Sequence, residues 1–195
     1  VLFARAVELN SMSNNAALNK KLAAALKTKK GGKLLMPTGL IGSTTKNRDE
    51  REMFILEGAS AGGTAKKASD RKYQEIMLLR GKILNVVKGF EKMTDSKVIV
   101  DVLKAVGFDP KVDFAKSRRV GKVYLLTDPD PDGSHISCLL MGLLYTVVPS
   151  LFNEGRMYDV DAPLYSYNDV KIRAYGSSLA ELKTKVGKGF NIDRV

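Results

Sequence analysis

Two short apolar runs along the chain end abruptly in acid. Met53-Phe54-Ile55-Leu56 runs into Glu57, and Val123-Tyr124-Leu125-Leu126 runs through Thr127 into Asp128; turn-forming or small residues follow each acid. Apolar runs of this length, bounded by turn signals, predict buried strands over 53–56 and 122–127. Beyond the second, Ile136, Leu139, Leu140, Leu143, Leu144 and Val147 recur at helical spacing, which predicts a helix from Ser134 to Val148 closed by Pro149. Weaker patterns complete the pass. Leu18, Leu22, Ala25 and Leu26 predict a short amphipathic helix ended by Gly31-Gly32, and Pro37 to Asn47 reads as a loop. Helices are expected from Gly62 to about Lys72, over Ser96–Val106 with Gly107 as terminator, and over 178–185. Ile83–Val86, 157–160 and 170–175 are expected to be extended.

The acids following the second strand alternate: Asp128-Pro129-Asp130-Pro131-Asp132-Gly133. Three carboxylates crowded on a turn stiffened by prolines repel one another unless cations neutralise them. Hard oxygen donors suit Mg2+ or Ca2+ better than zinc. An EF-hand loop starting at Asp128 would need Glu at its twelfth position, which is Leu139, and a helix rather than a strand before it. A haloacid-dehalogenase-like phosphatase would have its first Asp leave the strand directly, and here that residue is Asp128. A solvated acidic turn is the plain alternative. Glu57 argues against it, because ligands of an open parallel sheet bind beyond the carboxyl ends of its strands, where Glu57 and the Asp128 cluster can converge.

Composition narrows the partners. The formal net charge is +11, and no acid occurs from Asn10 to Arg48, a window holding Lys20, Lys21, Lys27, Lys29, Lys30, Lys33, Lys46 and Arg48. Beside a carboxylate site, such a run reads as a phosphate-contacting arm whose affinity for DNA falls steeply with salt. At 195 residues and 44% hydrophobic, the chain can bury one α/β core, or a core with an appendage. The single cysteine, Cys138, excludes an internal disulfide and a multi-cysteine zinc site and is expected to be an inert buried thiol. No apolar run is long enough for a membrane helix and no signal peptide opens the chain, so a soluble, cytoplasmic protein is expected.

Taken in order, Glu57-Gly58-Ala59-Ser60-Ala61-Gly62-Gly63, then Leu79-Arg80-Gly81-Lys82-Ile83-Leu84-Asn85-Val86, then Thr127-Asp128 through Asp132-Gly133-Ser134-His135-Ile136, and finally Ala162-Pro163-Leu164-Tyr165, closely resemble the TOPRIM region of type IIA DNA topoisomerases. The likeness is nearest the B subunits of DNA gyrase and topoisomerase IV and covers roughly residues 34 to 195. Ala59 and Leu78 depart from the usual acid and proline, which reads as a divergent member and is compatible with a viral source.

The resemblance implies a Rossmann-like parallel sheet with flanking helices at 49–165, a basic N-terminal arm over 1–48 and a partial C-terminal α/β appendage over 166–195. It implies that Glu57 with Asp128 holds a catalytic Mg2+, that Asp128 with Asp130 holds a second, and that Asp132 shares the site, with Mn2+ or Ca2+ as substitutes. Glu57 would exchange a proton as general acid and base. Lys82 and Asn85 would touch double-stranded DNA near the scissile phosphate, with Arg80 as helper and His135 as a weaker candidate. None of the seven tyrosines is expected to be the nucleophile, which the resemblance places on a gyrase A-like partner. ATP would belong to a domain absent from this chain, which reads as an excised or partial domain of a nucleoid-associated holoenzyme. The alternatives are a DNA-binding interaction module with structural acids, and a TOPRIM nuclease or primase.

Overall fold

The computed structural model describes residues 16–26, 36–37, 39–58, 60–79, 83–85, 90–160, 163, 165–168, 173–176, 178–186 and 193–194. Helix α1 (Ala16–Ala25) comes first. The main sheet then holds β1 (Leu40–Ile41), β2 (Glu52–Glu57), β3 (Gln74–Leu79), β4 (Lys122–Leu126) and β5 (Met157–Asp159), in the order β1-β3-β2-β4-β5. β2, β3, β4 and β5 run parallel, and only β1 is antiparallel, against β3. β2 feeds helix α2 (Ser60–Ala68), while α3 (Lys97–Val106) and the short α4 (Phe114–Ser117) lie between β3 and β4. β4 feeds α5 (Pro131–Val147), which is followed by the short α6 (Ser150–Asn153).

A second, antiparallel sheet contains β6 (Tyr165–Asn168), β7 (Arg173–Gly176) and β8 (Asp193–Arg194) in the order β7-β6-β8. With α7 (Leu179–Val186) it carries its own small core of Tyr167, Leu182 and Val186. The architecture is the expected α/β class with a predominantly parallel sheet.

Alternation decides which face of the main sheet is buried. Met53 and Ile55 on β2, Glu75, Met77 and Leu79 on β3, and Val123 and Leu125 on β4 share one face by register, and all are buried. Leu140, Leu143 and Leu144 of α5 and Ile99, Val102, Leu103 and Val106 of α3 belong to the same core. Each fully buried aliphatic side chain contributes roughly 1.5–3 kcal/mol. On the opposite face, Phe54, Tyr124 and Tyr158 stack across β2, β4 and β5 with ring centroids 4.8 and 4.9 Å apart.

Helix α3 forms where its periodicity predicts. Ser96 caps it by accepting from the Ile99 N–H, and Gly107, at φ 88°, ends it in the left-handed conformation. Elsewhere the structure corrects the sequence reading. β3 was not expected. Ile83–Asn85, expected to be extended, join no strand, although Ile83 and Leu84 pack on the core; Val86 lies outside the described residues. Leu40–Ile41, expected as loop, enter the main sheet.

Helix α5 begins at Pro131, three residues earlier than predicted, because proline is tolerated at the first helical position, where its missing N–H would have had no partner. Its buried stripe runs through Gly133, Ser137, Leu140 and Leu144, so Ile136 and Leu139 are only half-buried. Cys138 is likewise half-buried rather than enclosed.

Candidate metal centre

Strand β2 leads through α2 to β3 on one side of it, whereas β4 leads through α5 to β5 on the other. The connections therefore diverge between β2 and β4 and open a crevice at their carboxyl ends, the usual ligand position in such sheets. The register pairs Leu56 with Leu126, which sets Glu57 level with Thr127, one residue before Asp128. Glu57 continues the buried row of Met53 and Ile55, so its carboxylate leaves the core on the side that α5 covers.

The acidic turn is built by the start of the helix. Asp130 is the N-cap of α5: its Oδ1 accepts from the Gly133 N–H at 2.7 Å, and its own N–H donates to the Asp128 carbonyl at 2.8 Å. Asp132 lies in the first helical turn, where a carboxylate meets the positive end of the helix dipole. A Cβ added to Gly133 would stand 2.1 Å from the Asp128 carbonyl oxygen, so only glycine lets the helix approach the turn this closely. Gly133→Ala is expected to cost about 1–3 kcal/mol by overpacking, seen as a lower urea midpoint.

Electrostatics tie Glu57 to the turn. Its pKa is raised above the ordinary 4.5, first by burial, then by the negative charges of Asp128 and Asp130 and, more weakly, Asp132; the Asp128 main-chain N–H pulls it partly back. Glu57 Oε2 is buried without a hydrogen-bond partner. A carboxylate oxygen in that state is costly unless protonated or bound to a cation. Asp128, Asp130 and Asp132 are exposed beside it. Their chemistry fits a hard divalent ion. Among the described residues, no three acidic side chains converge on one point. Such a site suits an ion held by one or two carboxylates that completes its shell with water and phosphate, the usual habit of Mg2+.

The raised pKa has a sign that can be checked. Glu57 binds its proton more tightly in the folded than in the unfolded chain, so stability present at low pH is lost as pH rises through the folded pKa. Glu57→Gln is expected to melt higher than wild type above that pH without metal, and to lose most of the gain that Mg2+ gives wild type. Thermal scans across pH, with and without Mg2+, measure both.

A cleft of about 620 Å³ is lined by Glu57, Gly58, Asp132 and His135 together with the apolar Leu79, Ile83, Ile136 and Leu139. His135 is exposed there. Asn85, half-buried and engaged with a partner of its own, follows two residues after the wall residue Ile83. Arg80 and Lys82 lie outside the described residues, as do Lys27, Lys29, Lys30 and Lys33 of the basic arm. Lys20, Lys21 and Lys46 are exposed, and Arg48 donates to the Lys116 carbonyl. Tyr124 lies in mid-strand on the face of the sheet opposite Glu57: its hydroxyl donates to Glu52 at 3.4 Å, and burial raises its pKa.

With this geometry in view, the family follows. The Toprim domain model matches residues 52–160, from the first residue of β2 to just past β5. The chain belongs to the Toprim family. The Toprim chain is 39% identical over 165 residues to the B subunit of DNA gyrase from Thermotoga maritima, a match covering 82% of this chain and 26% of that one. It is 37% identical over 161 residues to the B subunit of DNA topoisomerase 4 from Salmonella typhimurium, covering 78% of this chain and 26% of that one. The chain thus spans about a quarter of the length of these relatives. Among solved structures, the DNA-binding, cleavage and re-ligation domain of Plasmodium falciparum topoisomerase II matches with a TM-score of 0.70 over 83% of this chain and 24% of that one; at 23% identity the likeness is one of fold. Among the described residues no helix is long and apolar enough to cross a membrane.

Sequence reasoning did not single out Thr127, Ser137 and Asp159 as a group. Their hydroxyls and carboxylate form a hydrogen-bonded chain under the acidic turn. The available signal was the alternation itself, which brings Thr127 and Asp159 to the same face as Glu57 once the strands are aligned.

Proposed function

We propose that this Toprim chain is the Mg2+-binding part of a type II DNA topoisomerase and supports double-strand cleavage and religation by a tyrosine on a gyrase A-like partner. The observation that carries the reading is the buried, partnerless Glu57 oxygen facing the Asp128 turn at the switch point of the sheet. Glu57 and Asp128 would hold one ion and Asp128 and Asp130 a second, with Asp132 sharing the charge. Asp130 can contribute only in part, because its Oδ1 already caps α5. An ion bound there supplies positive charge against the oxyanion that develops when a phosphodiester breaks.

The chain's own residues do the remaining work. Glu57, whose affinity for a proton is raised by burial and by its acidic neighbours, can deliver a proton from its carboxyl to a leaving 3′ oxygen and recover it on religation. Lys82, Arg80, Asn85 and His135 would bind the DNA backbone, and of these His135 lines the same cleft as Glu57. The exposed lysines of the N-terminal arm would add sequence-independent affinity. ATP would be hydrolysed in a separate module, and the assembled enzyme would work in the cytoplasm on nucleoid DNA.

Calorimetric titration of the full chain with Mg2+ tests the reading. Wild type should bind weakly, since DNA is not there to supply phosphate oxygens, and Asp128→Asn should show no resolvable binding. Equal heats from both proteins would sink it and favour a DNA-binding module whose acids are structural.

A further inference from the structure

Thr127 Oγ1 lies 3.0 Å from Ser137 Oγ, and Ser137 Oγ lies 3.0 Å from Asp159 Oδ1. A carboxylate only accepts, so Ser137 donates to Asp159. That commits its single proton, and the Thr127 hydroxyl must then donate to the Ser137 oxygen. The chain of hydrogen bonds has one direction, from Thr127 through Ser137 to Asp159. Ser137 is 2% exposed, so its hydroxyl is satisfied by these two partners rather than by water.

The three residues come from three elements. Thr127 follows β4 and immediately precedes Asp128; Ser137 lies in the second turn of α5, seven residues after the cap Asp130; Asp159 ends β5. On the buried face the apolar rows of β2, β4 and β5 end in Glu57, Thr127 and Asp159. Below that polar row, Leu140 and Leu144 hold α5 against the core by contacts without direction. The hydrogen bonds above them are directional, and they oppose rotation of the helix about its axis. Such rotation would carry Asp130 and Asp132 away from Asp128 and Glu57.

We infer that Asp159, acting through Ser137 and Thr127, is a positioning residue for the divalent-ion site, keeping the first turn of α5 in register with Asp128. The inference rests on Glu57 and Asp128 being ion ligands. Groups that orient metal ligands from behind commonly cost 10- to 100-fold in metal affinity when removed.

The test is a Mn2+ titration of the full chain, read from the electron paramagnetic resonance signal of the free ion. Asp159 is exposed, so its variants should fold, and circular dichroism checks this. Asp159→Leu, which removes the acceptor, should weaken Mn2+ binding about tenfold. Asp159→Asn, whose amide oxygen still accepts from Ser137, should stay within about threefold of wild type. Ser137→Ala should weaken binding about as much as Asp159→Leu, and the double variant no further, because both cut one chain. Wild-type affinity in Asp159→Leu alongside lost binding in Asp128→Asn would overturn the positioning role alone. Equal weakening in Asp159→Asn and Asp159→Leu, or additive losses in the double variant, would overturn it too. No Mn2+ binding by wild type would overturn the ion site and the positioning role together.

Discussion

Glu57→Ala, placed in the assembled enzyme, is expected to lower DNA cleavage by about 10²- to 10⁴-fold, the range for losing a positioned general acid and base. The loss should exceed that from any single surface lysine of the arm, because in the proposed function Glu57 both holds the first ion with Asp128 and exchanges the proton, and burial and Asp128 raise its affinity for that proton. Glu57→Gln separates the two roles. It keeps the shape and an oxygen donor but cannot exchange a proton, so it should remain as inactive as Glu57→Ala even when excess Mn2+ restores ion binding. Gel assays of the linear, protein-linked product measure cleavage directly, and religation after chelation measures the reverse step. Full cleavage by Glu57→Ala would remove Glu57 from the chemistry.

Arg119→Ala should destabilise the fold by about 3–5 kcal/mol, the cost of stranding a buried charge. Its partner Glu75 is 1% exposed in the middle of the sheet. Arg119 donates to both Glu75 oxygens, at 2.9 and 3.3 Å, and to the Ala105 carbonyl at 2.7 Å, while Ser43 Oγ donates to Glu75 Oε1 at 3.0 Å. Four separate segments are therefore tied together around one carboxylate. Removing the arginine leaves Glu75 no route to water, whereas the paired change Glu75→Leu with Arg119→Met should recover most of the loss, since well-packed apolar groups often replace a buried ion pair at little cost. Urea denaturation of the single and double variants checks both statements. A single variant as stable as wild type would show that the Arg119–Glu75 pair does not hold the fold.

The same pair explains why β3 was illegible. Gln74-Glu75-Ile76-Met77-Leu78-Leu79 shows no clean alternation, and Glu75 looks like a polar break until Arg119, 44 residues away, is seen to neutralise it. By contrast, β2, β4 and α3 were readable because their signals are local: apolar runs with turn residues after them, or a serine cap and a closing glycine. The start of α5 was misjudged because two prolines read as loop. Only the Asp130 cap on Gly133 reveals that Pro131 is already helical. The buried stripe also takes in Ser137, and a serine amid leucines gave no hint of its contact with Asp159, which lies on another strand. The convergence of Glu57 with the Asp128 turn was legible because strand polarity alone delivers both to one end of a parallel sheet.

The ladder between β2 and β4 is, in effect, a ruler. Backbone hydrogen bonds fix neighbouring strands about 4.8 Å apart, so the spacing between the bases of Glu57 and Thr127 is set by the peptide chain and is insensitive to side-chain substitution. In the proposed function, any tuning of ion size or preference must therefore be written into the stretch from Asp128 to Asp132, which hangs free of the ladder.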